Sequence, residues 1–345
     1  MALKVLVGMS GGVDSSVCAR LLMDDGFAVS GMTLTLWEKD GDTSVADAKS
    51  VCDKMGIDHI CFDLKSEFSE SVIKDFIDEY KAGNTPNPCI VCNRCIKFGE
   101  MLKKADALDF DKIATGHYAR VEQQADGRFL LKRAKDSKKD QSYVLYNLTQ
   151  EQLSKVLFPL GEYTKSEIRE IAIQNGFVNA NRPDSQDICF VPDGDYASFI
   201  EEYANYKSQV GDYVDINGNV IGQHKGVIHY TLGQRKGLGI ALGKPQFVID
   251  KNPVTNKVIL GDEEHLFKTR VEVKEVNFIP FDKLNGEMKV EVKLRYRHNA
   301  ASAVIRQMKN GNVEIIFDEP QRAASPGQSA VFYDGDTVIG GGIII

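Results

Sequence analysis

The 345-residue sequence lacks several features that would assign it to a protein class at once. No apolar run approaches the roughly 20 residues of a membrane-spanning helix, and the short run from Leu3 to Met9 is too short for the core of a secretory leader. The formal net charge of −7 excludes a wholly basic nucleic-acid clamp but allows local basic patches. No solenoid period is visible. We therefore expect a cytoplasmic protein of two or three domains with no membrane segment.

Structural disulfides are not expected either, although the chain contains seven cysteines. Cysteines of cytosolic proteins are more often catalytic, metal-binding or simply buried. Cys18, Cys52 and Cys61 fall on apolar faces of predicted helices or strands, and we interpret them as core residues. The other four occupy polar, loop-like stretches and need another explanation: Cys89, Cys92, Cys95 and Cys189.

The most informative stretch that is present runs from Ser10 to Ser16, with the sequence SGGVDSS. A short β-branched run precedes it and an amphipathic pattern follows, so it joins a buried parallel strand to a helix. Glycines let the backbone approach an anion, and the free N–H groups of the first helical turn point at that anion. Serine hydroxyls add donors, and the Asp14 carboxylate is a candidate Mg²⁺ ligand. The stretch is neither a Walker A sequence nor G-x-G-x-x-G, and we interpret it as a different phosphate-binding loop.

The pattern of apolar residues predicts the architecture. Short apolar strands alternate with amphipathic helices over residues 1–205, which predicts a doubly wound, mostly parallel α/β sheet. Ligands bind at the carboxyl ends of such strands, and Thr115-Gly116-His117-Tyr118 follows one of them. Beyond these residues, short β-branched runs alternate with turns, which predicts two small all-β, barrel-like domains over residues 206–269 and 270–345. Basic and aromatic residues interleave there, as around Arg295 and Tyr296, and this mixture suits RNA.

The four loop cysteines admit two chemical interpretations. Cys89, Cys92 and Cys95 have C-x₂-C-x₂-C spacing, and with Cys189 they would supply four ligands to an iron–sulfur cluster or, less naturally, to Zn²⁺. Alternatively, Cys92 and Cys189 relay sulfur, one carrying a persulfide and the other attacking it. The residues alone leave both interpretations open.

The surroundings of Cys92 predict a reactive thiol. Two prolines within three residues, Pro86 and Pro88, predict an extended loop there, with a helix starting near Cys92. A helix N-terminus, together with Arg94 and Lys97, would lower the pKa of the Cys92 thiol and increase the thiolate fraction.

The whole chain resembles the tRNA-specific 2-thiouridylases, a family of the PP-loop ATP pyrophosphatase superfamily. The resemblance implies ATP-dependent 2-thiolation of the wobble uridine, U34, with release of AMP and pyrophosphate. It also implies ATP and Mg²⁺ as cofactors, the anticodon stem-loop of tRNA as partner, and a cysteine desulfurase or relay protein as sulfur donor. The motifs that carry it are spread over the chain: Gly8 to Ser15, Thr85 to Pro88, Cys92-Asn93, Ala114 to Tyr118, Lys139 to Ser142, Ile188 to Phe190, Thr231 to Gly239, Leu294 to Arg297 and Ser325 to Gln328.

The resemblance further implies roles for individual residues. Cys92 would be the nucleophile and Cys189 the persulfide carrier. The expected ATP contacts are Gly8, Met9, Ser10, Gly11, Gly12, Val13, Asp14, Ser15, Leu34 and Gly116. The expected contacts with the target base are Asn87, Pro88 and Cys89, and those with the rest of the tRNA are His117, Lys139, Asp140, Gln141, Arg295, Tyr296 and Gln328. Cys89 stands where many relatives carry an aspartate, so the acid/base role of that carboxylate has no assigned residue here.

Three alternatives remain open at this stage. A PP-loop ligase or amide-forming enzyme acting on a small molecule would use the same loop but needs neither Cys92 nor Cys189. A noncatalytic RNA-binding protein with a structural metal cluster would explain the cysteines and leave the loop without a role. An iron–sulfur-dependent tRNA thiolase would use the cysteine set that also includes Cys89 and Cys95. For His117, a satisfied core position is as reasonable as a site role on composition alone.

Overall fold

The computed structural model describes residues 2–37, 43–177, 188–241 and 243–345. The strands in chain order are β1 (Lys4–Gly8), β2 (Ala28–Thr35), β3 (His59–Asp63), β4 (Lys112–Ala114), β5 (Ala119–Gln123), β6 (Phe129–Arg133), β7 (Val156–Leu157), β8 (Gly211–Val214), β9 (Val220–His224), β10 (Phe247–Asn252), β11 (Lys257–Gly261), β12 (Phe267–Phe278), β13 (Glu287–Lys293), β14 (Ala301–Gln307), β15 (Val313–Arg322), β16 (Ser329–Asp334) and β17 (Thr337–Ile344).

Helices cluster in the first two thirds of the chain. They are α1 (Val13–Asp24), α2 (Ser44–Met55), α3 (Lys65–Phe68), α4 (Lys74–Lys81), α5 (Pro88–Cys92), α6 (Met101–Ala107), α7 (Gln150–Lys155), α8 (Lys165–Gln174) and α9 (Tyr196–Tyr203). A π-helical segment, Ser69–Ile73, joins α3 to α4, and another, Asn93–Glu100, joins α5 to α6. In the part of the chain that the structure describes, no helix is long and apolar enough to cross a bilayer.

A parallel sheet forms the framework of the first part of the chain. Its strand order is β3-β2-β1-β4-β7, and every pairing is parallel. Side chains alternate across the central strand β1: Leu6 packs into the apolar cluster on one face, while Val5 and Val7 pack into the cluster on the other. All three are fully buried. The predicted doubly wound α/β sheet is confirmed, and the carboxyl end of β1 leads directly into the phosphate-binding loop.

Two β-rich units follow the parallel sheet. The first is a four-stranded sheet of order β10-β11-β8-β9. The second is a barrel of six strands, β12-β15-β14-β13-β16-β17, which closes because β12 also pairs with β17. Closure leaves no unpaired edge in the barrel, and its interior is filled by one apolar cluster. The prediction of all-β structure after the α/β part is confirmed.

The first and last parts of the chain are joined by direct contacts. The β5–β6 hairpin meets β17 through the pair Thr337 and Lys132. Buried tyrosines add to this junction, because the Tyr143 hydroxyl donates to the Ser329 carbonyl oxygen at 2.8 Å and the Tyr146 and Ser329 hydroxyls lie 3.0 Å apart. The C-terminal barrel is therefore packed against the α/β part rather than separated from it by a linker.

Two sequence-based predictions about local structure are wrong. Cys61 is exposed on β3, whereas Cys18 and Cys52 are buried as predicted. Residues Val227–His229, within the part predicted to be all β, form a short 3₁₀ helix. In both cases an apolar run too short to show a period was assigned from composition, and tertiary packing decided otherwise.

Candidate active site

The phosphate-binding loop is held in one shape by its own hydroxyl groups. The Ser15 and Ser16 hydroxyls donate to the Gly12 carbonyl oxygen at 3.1 and 2.9 Å, and the Ser10 backbone N–H donates to Ser15 Oγ at 3.2 Å. Gly11 has a φ of +71°, and a Cβ there would lie 2.8 Å from the Ser44 carbonyl oxygen. Only glycine satisfies both constraints. The shape of the loop is therefore held by contacts within the chain itself.

Asp14 has partners that the sequence analysis did not identify. The Lys165 ammonium lies 2.7 and 2.8 Å from its two carboxylate oxygens, and the Tyr118 hydroxyl donates to one of them at 2.8 Å. Both oxygens thus accept hydrogen bonds from within the chain, and the Mg²⁺ role of Asp14 stays a prediction. Lys165 lies at the start of α8, where the capping box of Thr164 was recognised, but no sequence signal links it to a residue 151 positions away.

Gly116 leaves no room for a side chain where it meets the loop. A Cβ on it would lie 2.9 Å from the Asp14 carbonyl carbon and 3.0 Å from the Ser15 backbone nitrogen. The chain after β4 therefore packs directly on the backbone of the first turn of α1. The remaining expected ATP contacts are placed around this region: Gly8 ends β1, Met9 and Val13 are buried, and Leu34 lies half-buried on the neighbouring strand β2.

The helix that carries Cys92 begins four residues earlier than predicted. Pro88 occupies its first position, where the missing N–H costs nothing, and the Asn87 side chain caps it by accepting from the Cys89 N–H at 3.2 Å. From Pro88 the chain stays helical through the π segment to Ala107. The two prolines thus mark a helix start rather than a continuing loop.

The Cys92 thiol is not activated in this conformation. Its side chain is buried in an apolar cluster with Ile96 and Phe190, and burial raises the pKa of the thiol to about 12, an effect that Lys97 only partly opposes. The prediction of a lowered pKa is therefore wrong for this state, because desolvation disfavours the thiolate more than nearby charge favours it. Arg94, the other expected activator, points to Glu275 at 4.0 Å.

The cysteine spacing does not fit an iron–sulfur cluster. Cys89, Cys92 and Cys95 lie on continuous helix, where residues six positions apart are separated by about 9 Å along the axis. Within the described ranges no group of three or more histidine, cysteine or acidic side chains is placed to hold a metal ion.

Cys189 is exposed, and its neighbours anchor it beside Cys92. Phe190 is buried in the same apolar cluster as Cys92, and Ile188 packs against that cluster. The pKa of the Cys189 thiol is raised by partial desolvation and then by the neighbouring Cys89 thiol. All seven cysteines, each of them described, are free thiols.

Several residues expected to contact tRNA also join the domains. Gln328 donates from its side-chain amide to the Thr85 and Pro86 carbonyl oxygens at 2.6 and 3.3 Å. A Cβ on Gly327 would lie 2.9 Å from Asn84 and Thr85 atoms, so this turn of the barrel is pressed against the loop that precedes α5. The barrel thereby supports the segment that carries Asn87, Pro88 and Cys89.

Arg295 and Tyr296 also form hydrogen bonds that link different parts of the chain. Arg295 donates to the Leu232 and Ala323 carbonyl oxygens at 3.3 and 3.0 Å and to Ser325 Oγ at 2.6 Å, which links the two β-rich units. Burial lowers its pKa, and its Nε has no partner although it is buried. Tyr296 is more open, with 36% of its surface exposed, and its hydroxyl donates to the Asp140 carbonyl oxygen at 3.1 Å.

The remaining expected tRNA contacts divide by exposure. His117 is buried between Phe98 and Phe158 and hydrogen-bonded to Thr115 at 2.8 Å, and burial keeps its pKa well below the usual value. It is a neutral, buried histidine here, and its contact with tRNA stays a prediction. Asp140 and Gln141 stabilise the local turn through backbone hydrogen bonds, and Lys139 beside them is half-exposed.

Three family models match consecutive parts of the chain. A tRNA methyl transferase HUP domain matches residues 3–193, a tRNA methyl transferase PRC-barrel domain matches residues 197–262, and an aminomethyltransferase beta-barrel domain matches residues 268–344. The matched ranges correspond to the parallel sheet, the four-stranded sheet and the closed barrel, apart from the β5–β6 hairpin, which extends the barrel sheet.

Curated proteins are similar over the whole length. The tRNA-specific 2-thiouridylase MnmA of Clostridium perfringens is 51% identical, with 99% of this chain and 98% of that protein aligned. The protein of the same name from Clostridioides difficile is 49% identical, with the same coverage of each chain. Similarity at this level, over every domain, shows common family membership.

Solved structures resemble the chain more distantly. The U34-tRNA thiolase NcsA from Methanococcus maripaludis, solved with its [4Fe-4S] cluster, is 19% identical with a TM-score of 0.36, covering 58% of this chain and 67% of that one. A 4-thiouridine synthetase in complex with RNA and ATP is 16% identical with a TM-score of 0.35, covering 58% of this chain and 50% of that one. Likeness at this level does not establish shared chemistry.

Proposed function

The chain belongs to the tRNA-specific 2-thiouridylase family and thiolates a uridine of tRNA, and we propose that this uridine is the wobble uridine, U34, whose O2 it replaces with sulfur. One observation supports the assignment most strongly. The preformed phosphate-binding loop and the segments that carry Cys92 and Cys189 lie in one domain, and the apolar cluster around the thiols includes Leu34 and Trp37 at the carboxyl end of β2. Nucleotide and sulfur chemistry therefore share one sheet edge.

The loop serves the first step, activation of the base. ATP held by the backbone N–H groups and hydroxyls from Ser10 to Ser15 is attacked at its α-phosphorus by O2 of the uracil. A bond forms between O2 and phosphorus, and pyrophosphate leaves. The oxygen then departs as part of AMP, which is a far better leaving group than the original carbonyl oxygen. Mg²⁺ would screen the phosphates of the bound ATP and so favour attack at the α-phosphorus.

The two thiols serve the second step. The terminal sulfur of a persulfide on Cys189 bonds to C2 of the base, and AMP leaves. The Cys92 thiolate then attacks the Cys189 sulfur and breaks its bond to the transferred sulfur, which stays on the base. A disulfide between Cys92 and Cys189 results, and an external thiol reductant returns both to free thiols with two electrons. We propose a cysteine desulfurase or a relay protein as the source of the persulfide, and the cytoplasm as the site of the reaction.

The reaction requires movement of both the target uridine and the segment that carries Cys92. C2 of a stacked uridine is shielded, so the base must be flipped out of the anticodon loop. Cys92 must also be uncovered before its thiolate can form, because burial raises its pKa to about 12 in the present conformation. Asn87, Pro88 and Cys89 remain the proposed contacts with the flipped base, and the proposed domains remain residues 1–205, 206–269 and 270–345.

The other residues of the proposed tRNA interface fall into two groups, those open enough for direct contact and those that support the surface. Lys139 and Tyr296 are open enough for direct contact, whereas Asp140, Gln141, Arg295 and Gln328 support the surface through hydrogen bonds to backbone atoms. His117 is buried, and its contact with tRNA stays a prediction. Binding to tRNA weakens steeply with salt in this arrangement, because cations replace phosphate counterions.

The alternative functions explain fewer of the features described above. The matched domain descriptions name a methyl transferase, whereas the relatives are named thiouridylases. Methyl transfer needs no pair of thiols at a nucleotide loop, so the name of the relatives is the better guide. A PP-loop ligase acting on a small molecule explains neither the thiols nor the two β-rich units. An iron–sulfur thiolase is disfavoured by the helical placement of Cys89, Cys92 and Cys95.

The test is mass analysis of nucleosides. The full chain is incubated with ATP, a persulfide source and an unmodified tRNA transcript, and the digested RNA is examined for a uridine that has exchanged oxygen for sulfur. We expect 2-thiouridine at position 34 with the wild type and none with Cys92→Ser or Cys189→Ser, while both variants keep their affinity for ATP and tRNA.

Cys61→Ser is the matched control, because Cys61 is exposed on β3 and has no proposed role. It should thiolate like the wild type. Absence of thiouridine with the wild type would contradict the proposal, and normal activity of either serine variant at position 92 or 189 would contradict the relay.

A further inference from the structure

We propose that Lys165 is a positioning residue of the nucleotide site: it neutralises Asp14 inside the phosphate-binding loop and so allows the loop to accept the triphosphate of ATP. The inference rests on the proposed function, which supplies ATP as the ligand. It goes beyond that function by assigning a role to a residue from a distant helix and by changing the role of Asp14.

The contact itself is close and partly shielded. Lys165 Nζ lies 2.7 Å from one oxygen of Asp14 and 2.8 Å from the other. The exposed fraction is 10% for the lysine side chain and 32% for the aspartate side chain. An ion pair in such surroundings is screened far less than one on the open surface.

Both partners of Asp14 are themselves anchored. The Lys165 backbone N–H donates to an Asp136 carboxylate oxygen at 3.1 Å, and the Tyr118 backbone N–H donates to the Gln141 side-chain oxygen at 2.9 Å. The helix that starts at Lys165 packs on α1, because Ile168 shares an apolar cluster with Val17. The ammonium and the Tyr118 hydroxyl are thus held at the carboxylate by the fold, independently of a ligand.

The electrostatic consequence follows from the position of Asp14. It is the second residue of α1, at the helix end where free N–H groups and the helix dipole favour an anion. An unneutralised carboxylate at that place would repel a polyphosphate. With Lys165 paired to Asp14, the start of α1 keeps the positive potential of its free N–H groups. Asp14 then serves as an anchor that links α1 to α8 and to the chain after β4.

The experiment measures ATP affinity of the full chain by calorimetry for Lys165→Met, Asp14→Asn and the double variant. We expect Lys165→Met to weaken ATP binding on the order of tenfold or more, because it leaves the carboxylate uncompensated. The double variant should regain most of the lost affinity, since no charge remains. A double variant as weak as Lys165→Met would overturn the inference, because the lysine would then act on the phosphates directly.

Two further measurements keep the result decisive. Lys155→Met removes a comparable ion pair with Asp106 at 2.9 Å, away from the loop, and should change ATP affinity by less than about twofold. If Lys165→Met does not fold, the double variant decides alone: binding within about threefold of wild type supports the inference, and a loss beyond about tenfold overturns it.

Titrations with and without Mg²⁺ separate neutralisation from metal binding. The gain in ATP affinity on adding Mg²⁺ should be the same in Asp14→Asn as in the wild type, and its loss in that variant would make Asp14 a metal ligand and overturn the inference. Failure of the wild type to bind ATP would instead contradict the proposed function, so the two failures are distinguishable.

Discussion

The nucleotide loop and the thiol segments differ in how far each is arranged for its chemistry. The loop from Ser10 to Ser16 has its hydrogen bonds in place, its acidic residue paired and its neighbouring strand end packed against it. The thiols are not ready for reaction. Cys92 is buried as a neutral thiol in an apolar cluster, and Cys189 is exposed beside that cluster. One half of the site is preorganised and the other must move.

The difference has a chemical reason. A phosphate loop gains affinity from rigidity, because donors that are already aligned lose little entropy when the anion binds. Two thiols that were always exposed and in contact would oxidise to a disulfide, and they could not act again until a reductant supplied two electrons. Burial of Cys92 keeps its thiolate fraction low until other groups displace the cover.

The largest effect that tests this comparison concerns the reactivity of Cys92. With a pKa of about 12, its thiol should react with iodoacetamide at pH 8 on the order of a thousandfold more slowly than an ordinary exposed thiol. Because a raised pKa leaves the thiolate scarce, the rate should rise about tenfold per pH unit up to the limit of stable folding. Peptide mass spectrometry of labelled Cys92 and Cys61 provides the measurement and its internal reference.

The same labelling experiment reports whether the cover moves. Trp37 is the single tryptophan of the chain, and its ring centroid lies 6.4 Å from that of Phe190, the neighbour of Cys189. Addition of ATP and tRNA together should accelerate labelling of Cys92 and change tryptophan fluorescence with the same midpoint. Fast labelling in the free protein would remove the contrast between the two halves of the site.

A second, somewhat smaller effect concerns the rigidity of the loop. Gly116→Ala places a methyl group 2.9 Å from the Asp14 carbonyl carbon, so the first turn of α1 must shift. We expect a loss in ATP affinity on the order of tenfold to a hundredfold, measured by calorimetry, because misplaced donors no longer meet the phosphates.

Gly127→Ala is the control for the cost of an added methyl group. Gly127 has a φ of +90° in the β5–β6 hairpin, with open space where a Cβ would lie. That variant should lose thermal stability without losing ATP affinity. Equal ATP affinities for the two alanine variants would show that the loop tolerates distortion.

The smallest effect concerns the support of the thiol segment by the barrel. Gln328→Ala removes the hydrogen bonds to the Thr85 and Pro86 carbonyl oxygens, which hold the loop before α5. Thiolation kcat should fall about three- to tenfold, corresponding to the roughly 1 kcal/mol of a typical hydrogen bond, while ATP affinity stays unchanged. Steady-state kinetics with separate tRNA binding measurements distinguishes positioning from contact.

Gln321→Ala is the matched change on the barrel, since the Gln321 amide donates to the Glu319 carbonyl oxygen within its own strand. It should leave thiolation unaltered. If Gln328→Ala weakens tRNA binding and leaves kcat intact, then Gln328 contacts the tRNA instead of supporting the loop.

Much of the fold followed from local pattern. The apolar alternation in β1, the glycines at 11 and 12 and the capping box at Thr164 each have a mechanism that acts within a few residues, and the structure contains all three elements. The same holds for the Asn217-Gly218 turn between β8 and β9. Such features are readable because the residues that form them are neighbours in the chain.

The states of the functional groups depended on residues far away in sequence. Asp14 is paired with Lys165, 151 positions later, and whether Cys92 ionises was decided by the apolar cluster that includes Phe190. His117 became a core residue because Phe98 and Phe158 enclose it. The sequence by itself determined the phosphate-binding loop, its place at the carboxyl edge of the parallel sheet and the presence of two thiols in the same domain. These features depend on residues that are neighbours in the chain. Charge pairing and desolvation depend on three-dimensional neighbours, and so only the tertiary structure decided which of these groups are paired, buried or available.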